Sequence, residues 1–219
     1  NMQDASKEID PTKTYFTREW GDNVDDWSSH NSPSRVARNW GEQPMRVQAQ
    51  HYACPYYPVT SYDVLYKQSS QHVGGCLWHS FDHQRGYHPD PFYGGLMDVF
   101  RQPKYSYYMF MAQRPAVKND RNAGSGPMVY IAHEMTPFSG KDVTVYSNCD
   151  EVRLTFNKGG KTYTYKKDKN RPGMPSPVIT FLDVYDFMVD KAFSRTQKQD
   201  DVYLLAEGLI DGKVVATHK

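Results

Sequence analysis

Glu19 is the residue best placed to do chemistry in this 219-residue sequence. A β-branched and aromatic run, Thr14 to Thr17 (TYFT), ends in Arg18-Glu19-Trp20-Gly21-Asp22, which reads as a buried strand emptying into a polar loop. In a parallel α/β barrel the carboxyl ends of the strands face the active site, so a carboxylate there is a candidate nucleophile or base. Side chains alternate along a strand, so Arg18 and Glu19 do not both point into such a barrel. A structural carboxylate that holds loop amides fits the same position and stays open as the alternative.

A second cluster lies further along. Gly74-Gly75-Cys76-Leu77-Trp78-His79-Ser80-Phe81 reads as another strand, with Asp82 and His83 just behind it. An indole at a strand end either packs into a core or offers a flat apolar surface to a ligand. His79 and His83 have H-x3-H spacing. On a strand and loop that spacing does not bring two imidazoles to one face, as it would on a helix. With no third ligand in view, no metal is expected. The sequence also holds no G-x-S-x-G elbow, phosphate loop or dinucleotide fingerprint, so no cofactor is expected.

The elements that must position these residues alternate in type. After the first strand, Ser32-Pro33 is a good cap and first-turn pair for a helix stopping near Gly41. Further helices are expected from about Pro44 to Tyr52 and from Ser61 to Ser70. The second strand is followed by a long Gly-, Pro-, His- and Tyr-rich loop, Asp82 to Gly95, and helical character returns at Lys104 to Gln113. Strand, loop, helix, repeated, is the logic of parallel α/β structure.

Residues 116–127 (AVKNDRNAGSGP) form a linker without apolar period. Beyond it come seven short alternating runs: Met128–His133, Val143–Ser147, Val152–Asn157, Lys161–Tyr165, Val178–Leu182, Val202–Ile210 and Lys213–Ala216. Turn signals such as Lys158-Gly159-Gly160 and Asp211-Gly212-Lys213 separate them, and the set predicts an immunoglobulin-like sandwich. The first half holds two strand–helix units, too few to close a sheet, since a (β/α)8 barrel takes about 250 residues.

Composition narrows the function. Net charge is +1 and like charges form no long block, which argues against a nucleic-acid binder, because phosphate neutralisation supplies most of such affinity. No apolar run approaches the roughly 18 residues a membrane span needs. Cys54, Cys76 and Cys149 are odd in number and far apart, so neither a disulfide framework nor a zinc site is indicated. All 4 tryptophans and six of the 8 histidines fall before residue 90. That crowding suits either a Trp-rich core or a site that stacks flat, hydroxylated ligands.

Taken in order, these segments resemble glycoside hydrolase family 2, the β-galactosidase and β-glucuronidase family, and especially its members from gut Bacteroides-type bacteria. TYFTREWGD (Thr14 to Asp22) resembles the seventh-strand segment that carries the family's nucleophilic glutamate, which falls on Glu19. GGCLWHSFDH (Gly74 to His83) resembles the eighth strand, whose tryptophan lines the sugar pocket and falls on Trp78. YGGLMDVFRQPKYSYY (Tyr93 to Tyr108) resembles the Y-G-G-x-x-D-x-x-R-x-P-K approach to the last barrel helix. VTVYSNCDEVRLTFN (Val143 to Asn157) and LIDGKVVATHK (Leu209 to Lys219) look like a sandwich domain that follows such barrels.

The resemblance implies an α/β plus all-β chain. Residues 1–115 would be the end of a (β/α)8 TIM barrel with its seventh and eighth strands, 116–127 the linker, and 128–219 the sandwich. It also implies a retaining β-glycosidase, first of all a β-galactosidase, acting on an oligo- or polysaccharide in the periplasm or at the surface of a bacterium. Glu19 would be the nucleophile, with Trp78, His79, Asp82 and Trp20 as sugar contacts. One departure stands out. The family's acid/base glutamate follows an Asn on the fourth strand, whereas the eighteen residues before Glu19 contain only Glu8, preceded by Lys7. The chain therefore resembles the carboxy-terminal piece of such an enzyme, inactive by itself. The competing reading is a non-catalytic carbohydrate-binding sandwich, and a histidine-based metallohydrolase ranks below both.

Overall fold

The computed structural model describes residues 10–20, 36–53, 71–78, 80–84, 86, 89, 91–119 and 121–219, with backbone alone at 15, 17–20 and 72. The chain divides into two compact units: Asn1–Tyr107 with Pro172–Met174, and Tyr108–Arg171 with Pro175–Lys219.

In the first unit, β1 (Tyr15–Trp20) pairs in parallel with β2 (His72–Leu77). Partners are Tyr15 with His72, Thr17 with Gly75 and Trp20 with Leu77, so both strands end at the same level. β1 runs three residues further than the TYFT pattern indicates, and Glu19 lies within it rather than beyond it. A single 3-10 turn, Arg38–Trp40, stands where the described part of the first expected helix falls. It closes through Trp40 N–H to Ala37 O (3.1 Å) and Gly41 N–H to Arg38 O (3.0 Å).

The helix α1 (Glu42–Ala53) follows, with Pro44 in its first turn, where a missing amide costs nothing. Met45, Gln48, Ala49 and Tyr52 recur at helical spacing and are buried. The expected helix over 61–70 lies outside the described residues. After β2 the chain runs through isolated bridges, Phe81 with Met97, His83 with Phe92 and Met97 with Pro103, before α2 (Tyr105–Met111). The described part of this unit holds two parallel strands and not a closed barrel.

The second unit is a β-sandwich. β3 (Val129–Ala132), β4 (Val143–Ser147) and β7 (Ile179–Phe181) form one antiparallel sheet in the order β3-β4-β7. β5 (Glu151–Phe156), β6 (Thr162–Lys166), β8 (Leu204–Ile210) and β9 (Lys213–His218) form the other, in the order β6-β5-β8-β9. All seven expected segments form strands, none displaced by more than two residues at either end. Val129, Ile131, Val143, Val145, Ile179 and Phe181 from the first sheet share one buried cluster with Val152, Leu154, Leu204 and Ala206 from the second. Each Val, Leu, Ile or Phe side chain among these contributes about 1.5–3 kcal/mol when fully buried. The β8–β9 hairpin turns on Asp211 (φ 49°) and Gly212 (φ 74°), left-handed at both residues as a tight Asp-Gly turn requires.

One element has no counterpart in the sequence pattern. α3 (Phe187–Ser194) lies between β7 and β8, where no helix is expected. Its start is set by Asp186, whose Oδ1 accepts from Met188 N–H (2.8 Å) and Val189 N–H (3.1 Å).

Candidate active site

Because β1 and β2 are parallel and Trp20 is level with Leu77, the residues at their carboxyl ends stand side by side: Glu19 and Trp20 on one strand, Trp78 directly after the other. This is the edge at which parallel α/β proteins carry their chemistry. The side chains of Glu19 and Trp20 are not described, and His79 lies outside the described residues. Trp78, 36% exposed, lines an open pocket of about 300 Å³ together with Phe81, Asp82, His83, Val99 and Arg101.

The pocket floor is stiff for identifiable reasons. Asp82 is buried, and its Oδ1 accepts from Lys104 Nζ (2.8 Å) and from Gly95 N–H (3.0 Å). Lys104 is fully buried and spends its other two ammonium protons on Val36 O and on Tyr93 O (3.1 Å). Burial pushes the Asp82 carboxyl up, against the pull of the Lys104 charge. Burial likewise pulls the Lys104 ammonium down, and the attraction of Asp82 offsets this only in part. Removing one partner of such a pair leaves a buried charge, a loss of about 3–5 kcal/mol.

A second ion pair ties down the turn that carries the pocket residues Val99 and Arg101. Asp98 Oδ1 accepts from Phe100 N–H (2.9 Å) and Gln102 N–H (3.0 Å), while Oδ2 accepts from Arg38 Nε (2.6 Å). Burial by itself raises the Asp98 carboxyl, but the bonds from Gln102, Arg38 and Phe100 outweigh it and hold it below its ordinary value. The turn so tied forces Arg101 into the left-handed region (φ 68°), where a non-glycine residue persists only when its surroundings dictate it. Its guanidinium carbon then lies 3.5 Å above the Phe81 ring, at the pocket wall.

Asp98, Arg101 and Lys104 acquire roles here that composition and spacing do not assign, and Arg38 is missed altogether. A signal for Lys104 exists. It immediately precedes α2, at the positive end of a helix, where a cation is misplaced unless something else holds it. Among the described residues, no group of three or more His, Cys, Asp or Glu gathers as a metal site would need. No described helix is long and apolar enough to cross a membrane.

No family profile matches the sequence. The chain is similar to a β-galactosidase of Thermoanaerobacter pseudethanolicus, at 28% identity over 190 residues, 74% of this chain and 24% of that protein. In fold it is similar to a β-glucuronidase of Bacteroides uniformis, with a TM-score of 0.50 at 18% identity over 93% of this chain and 21% of that one. A β-glucuronidase from glycoside hydrolase family 2 aligns with a TM-score of 0.48 at 20% identity, over 94% and 18% of the two chains. These proteins are glycoside hydrolases, and the chain spans about a quarter of the length of the curated relative it matches.

Proposed function

We propose that this chain forms part of a retaining β-glycosidase, with Glu19 as its nucleophile and Trp78 as the apolar wall of the sugar site. The observation that carries this reading is the parallel register of β1 and β2, Trp20 level with Leu77, beside the pocket that Trp78 lines. The similarity to a β-galactosidase favours a terminal β-galactoside as the substrate.

In this reading the ionised Glu19 attacks the anomeric carbon as the glycosidic bond breaks, forming a covalent glycosyl-enzyme. A second carboxylic acid, about 5–5.5 Å away, gives its proton to the leaving oxygen, then takes one from the water that releases the sugar. That second carboxyl is contributed by sequence outside these 219 residues, and the first unit is the closing part of a (β/α)8 barrel. Trp78 stacks on the C–H face of the pyranose. His79 and Trp20 contact its hydroxyls and ring. Asp82, whose Oδ1 is already engaged by Lys104 and Gly95, contacts the sugar only through its other oxygen.

A 2-deoxy-2-fluoro-β-galactosyl fluoride tests the assignment in the complete polypeptide that carries this chain. The reagent forms the glycosyl-enzyme and stalls there, so peptide mass spectrometry finds the attacked side chain. Label on Glu19, lost in Glu19→Gln, is the expected result. Label on any other residue rejects it.

A further inference from the structure

Two cations of the first unit cross between its successive strand–helix segments, in opposite directions. Arg38, on the stretch that leads from β1 into α1, reaches forward to the turn before α2. It donates from Nε to Asp98 Oδ2 (2.6 Å) and from its terminal nitrogen to Gln102 O (3.0 Å) and Pro103 O. Lys104, at the head of α2, reaches back to Val36 O on the β1–α1 stretch, and sideways to Asp82 and Tyr93 O. Between them Val36 N–H donates to Tyr93 O at 2.8 Å. Every proton of the Lys104 ammonium is thus used, and the Arg38 fork spans one carboxylate and two carbonyls.

We propose that Arg38 and Lys104 are positioning residues, a reciprocal clamp that sets the stretch at Val36 to Arg38, which leads from β1 into α1, against the chain after β2 and so fixes Trp78 relative to Glu19. The proposal rests on the reading of Glu19 and Trp78 as site residues. The chemistry of the clamp fits that task better than that of a general stabiliser. Its acceptors belong to both loops, to Val36 on one side and to Asp82, Tyr93, Asp98, Gln102 and Pro103 on the other. Met45, Ala49 and Tyr52, which α1 buries, are not among its donors or acceptors. A charge-assisted fork also fixes direction as well as distance, which apolar packing does not. Placement matters at this scale because a misplacement of about 1 Å in a site costs about a hundredfold in rate.

The test labels the complete polypeptide that carries this chain with 5-fluorotryptophan and assigns the Trp78 fluorine resonance by its loss in Trp78→Phe. Arg38→Lys keeps the charge but not the fork, and Arg38 is a third exposed, so this variant folds. Lys104→Met combined with Asp82→Asn removes both buried charges at nearly constant volume. In each, the clamp predicts a shifted or broadened Trp78 resonance with an unchanged far-ultraviolet circular dichroism spectrum. In the complete polypeptide carrying Arg38→Lys, which leaves every proposed sugar contact in place, kcat falls by about tenfold or more while KM stays within about threefold, because ground-state contacts survive and alignment does not. An unmoved Trp78 resonance in folded Arg38→Lys overturns the clamp. A moved resonance with undiminished kcat leaves the clamp standing and overturns the reading of Trp78 as a site residue.

Discussion

At Gly95 the loop after β2 passes so close to itself that no side chain fits. A β-carbon there would lie 2.3 Å from Asp82 N, 2.4 Å from the Phe81 carbonyl carbon and 2.5 Å from Met97 O, all backbone and none able to swing aside. The amide of the same residue donates to Asp82 Oδ1 at 3.0 Å, so displacing it also loosens the buried Asp82–Lys104 pair. Gly95→Ala is therefore expected to destabilise the first unit by about 1–3 kcal/mol, the range of overpacked cores. All 4 tryptophans precede residue 80, so urea unfolding followed by tryptophan fluorescence reads this unit directly. A midpoint unchanged from wild type would contradict the close approach. The second glycine of the pair is thus a packing requirement of the pocket floor.

Among the elements, β9 carries a titrating group that ties it to β3. His218 Nδ1 accepts from Ile131 N–H at 3.3 Å, which demands the unprotonated nitrogen, and its ring lies 4.4 Å from that of Tyr130. Tyr130 in turn stacks on Tyr108 at 3.5 Å and 7°. Burial lowers the His218 pKa from the ordinary value of 6.5. In the unfolded chain the imidazole titrates near about 6.5, so on acidification the unfolded state takes up the proton first. Stability from this group is present above that pH and lost as pH falls through it towards the lowered native value. Melting temperatures measured from pH 8 to pH 5 should therefore drop less in His218→Asn, whose side chain offers an acceptor that does not titrate, than in wild type. His51, also lowered by burial, adds a loss of the same sign in the first unit, so the comparison is made on the difference between the two proteins. Parallel curves would remove His218 from the account.

For the whole molecule, the division into units carries an expectation about folding. The sandwich closes its own core from both sheets, with Val143, Val145, Val152, Leu154 and Ala206 at 0% exposure. A chain beginning at Tyr108 is expected to melt in one cooperative transition with a β-type circular dichroism spectrum. A broad, non-cooperative melt would show that the core needs the rest of the molecule. The first unit is in a different position, since two paired strands are marginal without more sheet or helix to cover them. That contrast agrees with the proposal that it completes a barrel begun elsewhere.

What the sequence determined by itself was mostly local. The alternation in Val143–Ser147, the Asp211-Gly212 turn and the helical spacing of Met45, Ala49 and Tyr52 each state their element within a few residues, because backbone geometry and the need to bury one face act at that range. The placing of Glu19 near the end of β1 was legible in the same way. α3 was not, because Phe187, Val189 and Phe193 have the composition of a strand, and only the capping bonds of Asp186 mark a helix start. Tertiary structure decided the rest. Arg38 meets Asp98 across 60 residues and Lys104 meets Asp82 across 22, and no periodicity names such partners. A buried ion is matched by whatever acceptor the fold brings to it, and that acceptor exists only once the stretch around Val36 and Arg38 lies against the turns that carry Asp82 and Asp98.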